Sequence, residues 1–463
     1  MSKRTPAYWK GTNVVLDVGW GDNGKGKFVD IGSQYADLVV RWAGGPNAGH
    51  TINNEFGEFK FHLMPSGIFN SLCVLGDTVI IDPDILIGEI DELNLRGFPI
   101  NESNLLISAD ASLIFDWHKR RDVLSEAARG GKMIGTTGRG IGPTYADRTD
   151  RTGLKLHHLY EPDFEKRLMR EFVWQTRMTK LMEGKTHIGN LSREDFEGIS
   201  PHAFNQMVRK SIGNGPYDFE KMYDRLTIAR ERLEPMVKNV FPIIQKVHRD
   251  GGNLLGEGAQ GALLDLDLGT TPYVTSSHPT MAGFSIATGI NANEVRNVYG
   301  VTRAYGARVG EGPFPTELED ETGEYIRKIG NEYGTTTGRP RRCGWFDAVI
   351  TKYSVRVSGA TKVALTKLDV LDELDEIKIC IGYKVDGQRY DADTLPTIKP
   401  RFLYRAKPIY ETMPGWEQKT SDVRSFDDLP LKAQQYVLRI QNLLSTRIKF
   451  VSVAPEREAT IVR

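Results

Sequence analysis

The segment 13–27, "NVVLDVGWGDNGKGK", constrains the fold more than any other part of the chain. "NVVLDV" is an apolar, β-branched run of the kind found in strands buried on both faces. Such strands occur almost only in parallel sheets covered by helices. The following "GWGDNGKGK" holds four glycines and two lysines. A glycine-rich turn between strand and helix lets successive backbone N–H groups converge on an anion, and a lysine adds a point charge. Gly19, Gly24 and Lys25 match most of the P-loop pattern in the strand–loop context it requires. Gly26, however, stands where a hydroxyl would hold magnesium, and Asp22 lies inside the loop. Asp22 offers either a hard oxygen for magnesium or a base for a proton.

Seven further runs read as mostly buried strands: "ADLVVRW" (36–42), "LCVLGDTVII" (72–81), "NLLISA" (104–109), "NVYGVTRAY" (297–305), "TKVALTKL" (361–368), "EIKICIGYKV" (376–385) and "IKFVSVAP" (448–455). Helical patterns lie between several of them, as in 84–97 and 435–445. This alternation predicts an α/β fold with a large, mostly parallel sheet and helices on both faces. Residues 155–250 differ, reading as amphipathic helices around a polar, weakly patterned stretch. No composition shift marks a linker. The expectation is one domain over 11–463 with a helical insertion at 155–250, preceded by an N-terminal extension, 1–10, that reads as a tail.

Lys+Arg and Asp+Glu number 60 each, and the zero net charge argues against a general nucleic-acid binder, whose footprint would be basic. Anionic ligands must be met by local positive clusters. Cys73, Cys343 and Cys380 lack metal or disulfide spacing and read as reduced thiols of a cytoplasmic protein. The start "MSKRTPAYWKG" has no apolar core of a signal peptide, and no run is long enough to span a membrane.

Five more loops carry polar chemistry. "GGPNAGHT" (44–51) sets His50 after small residues that let a ligand approach the backbone; the histidine reads as structural or catalytic. "GTTGRGIGP" (135–143) suits a nucleotide monophosphate. "GEGAQG" (256–261) and the "TTPYVTSS" beyond it offer Gln260 and Thr275 as neutral hydrogen-bonding groups. "GTTTGRPRR" (334–342) crowds Arg339, Arg341 and Arg342, either a solvated basic turn or a clamp for a dicarboxylate. "TKLD" (366–369) is close to the Asn-Lys-x-Asp element of GTP-binding proteins, in which the carboxylate accepts from the guanine N–H and amino group.

Read in order, "WGDNGKGK", "NAGHT", "GTTGRGIGP", "EGAQGALLDLDLGTTPYVTSS", "VGEGPFPTEL", "TTGRPRRCGWFD", "TKLDVLD" and "PIYETMPGW" resemble the adenylosuccinate synthetase family over roughly 11–463. The resemblance implies a ligase that joins L-aspartate to IMP, consuming GTP, through a 6-phosphoryl-IMP intermediate, with one Mg2+ per subunit. It implies that Asp22 takes the purine N1 proton, that His50 is the acid supporting the leaving GDP, and that Lys25 steadies the γ-phosphate. Asp22 and the Gly49 carbonyl would hold the metal. GTP would meet Gly21, Gly24, Lys25, Gly26, Lys27, Gly49, His50 and Thr51, and its guanine would meet Lys367, Asp369, Ser452, Ala454 and Pro455. IMP would meet Asn47, Thr136, Thr137, Gln260, Thr275 and Arg339, together with Arg151 from the neighbouring subunit, which makes a homodimer part of the site. Aspartate would meet Thr336, Thr337, Arg339 and Arg341.

The chain departs from the family pattern at five positions. Gly19 and Ala43 stand where glutamine is usual, Asn23 for glutamate, Leu268 for histidine and Ala454 for glycine. The stretch 182–216 and the N-terminal extension look additional. These departures bear on the choice of nucleotide. A related branch that makes 2-aminoadenylosuccinate from GMP or dGMP is the alternative enzyme, but it carries serine in place of the loop aspartate. A non-catalytic GTP-binding regulator is the alternative of another class.

Overall fold

The computed structural model describes residues 5–130, 133–184, 200–212, 217–334 and 338–463. A ten-stranded sheet organises the chain. Its strands are β1 (Asn13–Asp17), β2 (Leu38–Arg41), β3 (Leu72–Leu75), β4 (Leu105–Ser108), β5 (Val237–Lys238), β6 (Leu254–Glu257), β7 (Asn297–Arg303), β8 (Lys362–Thr366), β9 (Ile448–Ser452) and β10 (Thr460–Val462). They lie in the order β10-β9-β8-β7-β1-β6-β2-β3-β4-β5. Every neighbouring pair is parallel except β9 with β10 at the edge. β1, β2, β4, β6 and β7 are buried along their whole length, as two-sided helix cover requires.

The expected α/β class therefore holds, with three differences in detail. β6 lies between β1 and β2 at the middle of the sheet, yet its four residues sit among glycines ("GGNLLGEG") and read only as the start of a loop. Residues 376–385 do form a strand, but in a separate small sheet, pairing with Phe346–Asp347, Gln388–Tyr390 and Lys407–Pro414. Periodicity reports burial and not the partner, so it could not tell the two sheets apart.

The third difference concerns the N-terminus. Within the expected tail, residues 5–10 are anchored, because Trp9 is 3% exposed and stacks on Phe450 of β9, with ring centroids 5.8 Å apart. It also lies 4.8 Å from the Tyr299 ring. Gly32 of helix α1 (Lys25–Ser33) makes room for it, since a Cβ there would lie 2.9 Å from the indole. Trp9→Ala is expected to lower the unfolding free energy by about 3 kcal/mol, read as a shift of the denaturant midpoint. The value is at the low end for a buried tryptophan because its Nε1 is buried without a partner.

Helix α2 (Asp116–Ala128) and helix α3 (Ile141–Asp150) flank the 135–143 loop. Residues 155–250 supply α4 (Phe164–Met182), α5 (Pro201–Ile212) and α6 (Phe219–Leu233). Phe172, Phe204 and Phe219 meet edge-on, and Phe172 reaches Trp117 of α2. These residues belong to the same continuous core as Val15 and Phe28, so the helices are packed onto the sheet and share its interior. Most of 182–216 lies outside the described residues.

Candidate active site

In open parallel sheets, ligands bind beyond the carboxyl ends of the strands, where neighbouring connections diverge. Here the loops after β1, β2, β6, β8 and β9 leave from that one edge and line a cavity of about 1120 Å³. The 135–143 loop closes another wall, with Ile134, Gly135, Thr136 and Thr137 lining it.

The phosphate loop is built around a carboxylate that the sequence reading passed over. Asp17, the last residue of β1, is 1% exposed. Its Oδ1 accepts from the N–H of Gly19 at 2.8 Å and of Gly21 at 3.3 Å, and its Oδ2 accepts from the N–H of Asn23 at 3.0 Å. The amides expected to form an anion nest are thus partly turned inward onto the chain's own anion. An external phosphate is left the first turn of α1, which opens at Gly24 without a side-chain cap. Lys25 waits beside this turn, its Nζ 2.7 Å from the Gln260 carbonyl and 3.4 Å from Asp17 Oδ2. The signal for Asp17 was an acidic residue at the end of an otherwise apolar run.

Asp22 lines the cavity at φ +57°, in the left-handed region that non-glycine residues rarely enter. Gln260 and Lys367 are also left-handed, at φ +52° and +57°. Backbone strain of this kind clusters at functional sites, where surrounding structure holds it in place. Asp22 Oδ2 is paired with Arg341 Nη2 at 2.9 Å. Arg41, completely buried, faces His50, its Nη1 3.4 Å from His50 Nε2, which also lies 3.2 Å from the Met64 carbonyl. Burial, and after it the Arg41 charge, holds His50 well below the ordinary histidine pKa, so the imidazole is neutral at pH 7.

Asn47, Gln260, Thr275, Thr136 and Thr137, the residues expected to meet the monophosphate nucleotide, all line the cavity. Gln260 Nε2 donates to Asn47 Oδ1 at 3.2 Å, while Gln260 Oε1 is buried with no partner and is available to a ligand N–H. Glu126 of α2 holds the loop, accepting from the N–H of Gly135 at 2.8 Å and of Thr136 at 3.3 Å.

Lys27, Lys367, Asp369, Ser452, Ala454 and Pro455 line the cavity as well. Lys27 Nζ donates to Ser452 Oγ and to the Ala454 carbonyl, each at 2.8 Å. Burial lowers its pKa to about 7 against the opposing pull of Asp369. Asp369 Oδ1 is buried without a partner, and burial raises this carboxyl to about 6. A partnerless acceptor next to a lysine stem is what a ring carrying paired N–H donors would satisfy.

Not every expected residue reaches the cavity. Gly21, Gly24, Gly26, Gly49, Thr51 and Arg341 line it; Arg339 and Arg151 are exposed and do not. Thr336 and Thr337 lie outside the described residues.

An adenylosuccinate synthetase family model matches residues 14–461. The adenylosuccinate synthetase of Caldanaerobacter subterraneus subsp. tengcongensis is 43% identical over 97% of this chain and 98% of its own. That of Bifidobacterium longum subsp. infantis is 44% identical over 97% of both. The chain belongs to the adenylosuccinate synthetase family.

The fully ligated adenylosuccinate synthetase of Plasmodium falciparum superposes with a TM-score of 0.83 at 34% identity, over 98% of this chain and 100% of that one. The succinoaminodeoxyadenylate synthetase of cyanophage S-2L, bound to dGMP and to dATP as an energy donor, gives 0.57 at 19% identity over 98% and 95%. At that identity the likeness concerns the fold alone.

Two of the five departures from the adenylosuccinate synthetase pattern explain each other. Asn23 Nδ2 donates to Asp17 Oδ1 at 2.8 Å, and its Oδ1 accepts from Arg303 Nη1 at 2.6 Å. A Cβ at Gly19 would lie 2.5 Å from that Asn23 amide nitrogen, so the short side chain at 23 occupies space that a side chain at 19 would need. Ala454 serves through its carbonyl, which a glycine would also provide. Nothing in the structure explains Ala43 or Leu268. Asp22 presents a hard carboxylate oxygen on the cavity wall, close in the sequence to the first turn of α1, and such a donor fits a magnesium ion.

Proposed function

We propose that this chain catalyses GTP-dependent ligation of L-aspartate to IMP, giving adenylosuccinate, GDP and phosphate, with Asp22 as the general base. The observation that supports the assignment of the base is Asp22 itself, a carboxylate held in a left-handed backbone on the cavity wall and paired with Arg341.

Asp22 accepts the N1 proton of IMP. The 6-oxygen attacks the γ-phosphorus of GTP, the new O–P bond forms and the β–γ bridge breaks to release GDP. The amine of aspartate then attacks C6, and the C6–O bond breaks with loss of phosphate. An amide-like oxygen is a poor leaving group, and its phosphate ester is a good one. Lys25 turns from the Gln260 carbonyl to the transferring phosphoryl group, a short move for a flexible stem. His50, kept neutral by burial and by Arg41, gains proton affinity from the triphosphate charges and donates to the leaving GDP. Magnesium, held by Asp22 and the Gly49 carbonyl, would spread charge at the γ-phosphate. Gln260, Asn47, Thr136, Thr137 and Thr275 hold IMP, and Arg341 holds a carboxylate of aspartate.

Asp369 accepts from guanine through a carboxyl that protonates as pH falls through about 6. GTP affinity is therefore expected to fall about tenfold between pH 7 and pH 5, since each unit below the pKa removes about a factor of ten of carboxylate. Calorimetric titration at the two values checks this, and Asp369→Asn should flatten the dependence.

Arg151, exposed at φ +66° at the end of α3 and away from its own cavity, supports a homodimer in which it serves the neighbouring IMP site. Three buried free cysteines fit a reducing, cytoplasmic setting.

The test is turnover with IMP, GMP and dGMP, each against GTP, ATP and dATP, using IMP labelled with heavy oxygen at C6. Label in the inorganic phosphate is the expected result. Turnover confined to a guanine monophosphate, or phosphate without label, overturns the proposal.

A further inference from the structure

We propose that Glu332 is a positioning residue that locks the guanine-reading loop to the arginine loop, so that one buried carboxylate seats both the phosphoryl donor and the amine substrate. It follows the helix Glu321–Ile329 and is fully buried. Its Oε1 accepts from Lys367 Nζ at 2.8 Å and from the Tyr305 hydroxyl. Its Oε2 accepts from Arg303 Nη2 at 3.0 Å and from Arg341 Nη1 at 2.8 Å. A carboxylate has about four acceptor sites, and all are used. Burial favours the neutral acid, but Arg303, Lys367 and Arg341 outweigh it and hold Glu332 far below the usual carboxylate range.

Each of the three cations has a second attachment in the cavity wall. Lys367 also donates to the Gly330 carbonyl, which fixes the left-handed turn that presents Asp369. Arg341 reaches Asp22, and Arg303 reaches Asn23 in the phosphate loop. Glu332 is thus one residue removed from the guanine acceptor, the general base and the phosphate loop. Arg303 and Arg341 are 1% and 6% exposed, and Glu332 supplies both with a buried counter-charge. With every lone pair filled, movement of one cation disturbs the places of the other two. None of the loops that read as functional in the sequence contains Glu332, which lies two residues before the arginine loop.

This inference rests on the assignment of Lys367 and Asp369 to guanine and of Arg341 to aspartate. Turnover of the unsubstituted chain tests that assignment; ratios between variant and unsubstituted chain test the inference. Glu332→Gln keeps the shape and removes the charge. The expected result is a rise of about tenfold or more in KM for aspartate and in the calorimetric Kd for GTP, with KM for IMP within about threefold. Glu332→Asp should recover part of one loss and not of both, because the shorter acid cannot reach both arms. Loss spread equally over all three substrates, or a lowered melting temperature with unchanged constants, overturns the proposal. If Glu332→Gln does not fold, Tyr305→Phe removes one donor and leaves every charge. It should raise the aspartate and GTP constants about twofold to threefold and spare IMP, and unchanged constants overturn the proposal.

Discussion

Asp22→Asn is expected to lower kcat for adenylosuccinate formation by about 10⁴, with IMP and GTP binding within about threefold of the unsubstituted enzyme. The substitution is chosen because it keeps the backbone and the contact with Arg341. Asparagine tolerates the left-handed backbone that Asp22 occupies at φ +57°, and its amide oxygen can still accept from Arg341 Nη2. What it cannot do is take the N1 proton of IMP. Without that step the 6-oxygen is a weak nucleophile, and heavy oxygen should no longer pass from the base to phosphate. Steady-state turnover and calorimetric binding measure the two halves. A kcat within tenfold of the starting value would return Asp22 to a purely structural role beside Arg341.

Lys25→Met should reduce kcat by about 10³ and leave the melting temperature within a few degrees. Methionine keeps the length of the stem in a position only 8% exposed, so packing at the start of α1 survives. The buried anion left behind is still satisfied, because Asp17 keeps three loop amides and the Asn23 side chain. The loss should therefore fall on the transition state, where charge builds on the transferring phosphoryl group. Raised KM for GTP with unaltered kcat would contradict this, since it would mean that Lys25 binds ground state and transition state alike.

The strand-ends that build the cavity were largely legible in the chain. Buried parallel strands announce themselves as unbroken β-branched runs, and the glycine-rich turns beyond them need conformations that other residues resist. Asp22, His50, Lys25, Gln260 and Asp369 could be picked out because each is a chemically capable residue at such a turn. The reading failed where local pattern is silent. β6 is too short to show a period, and Trp9 looked like part of a tail because its partner Phe450 is 441 positions away along the chain.

By itself, then, the sequence determined which long β-branched segments become strands, which loops end them, and what chemistry those loops can offer. Only the tertiary structure decided that the amides of the phosphate loop turn inward onto Asp17, that Arg341 is paired with Asp22 while Arg339 stands outside the cavity, and that Glu332 gathers three cations. The physical reason is range. Backbone preference and hydrophobic period act over a few residues and survive in linear order. A buried charge is settled by whichever partners the fold brings within about 3 Å, at whatever distance along the chain they lie.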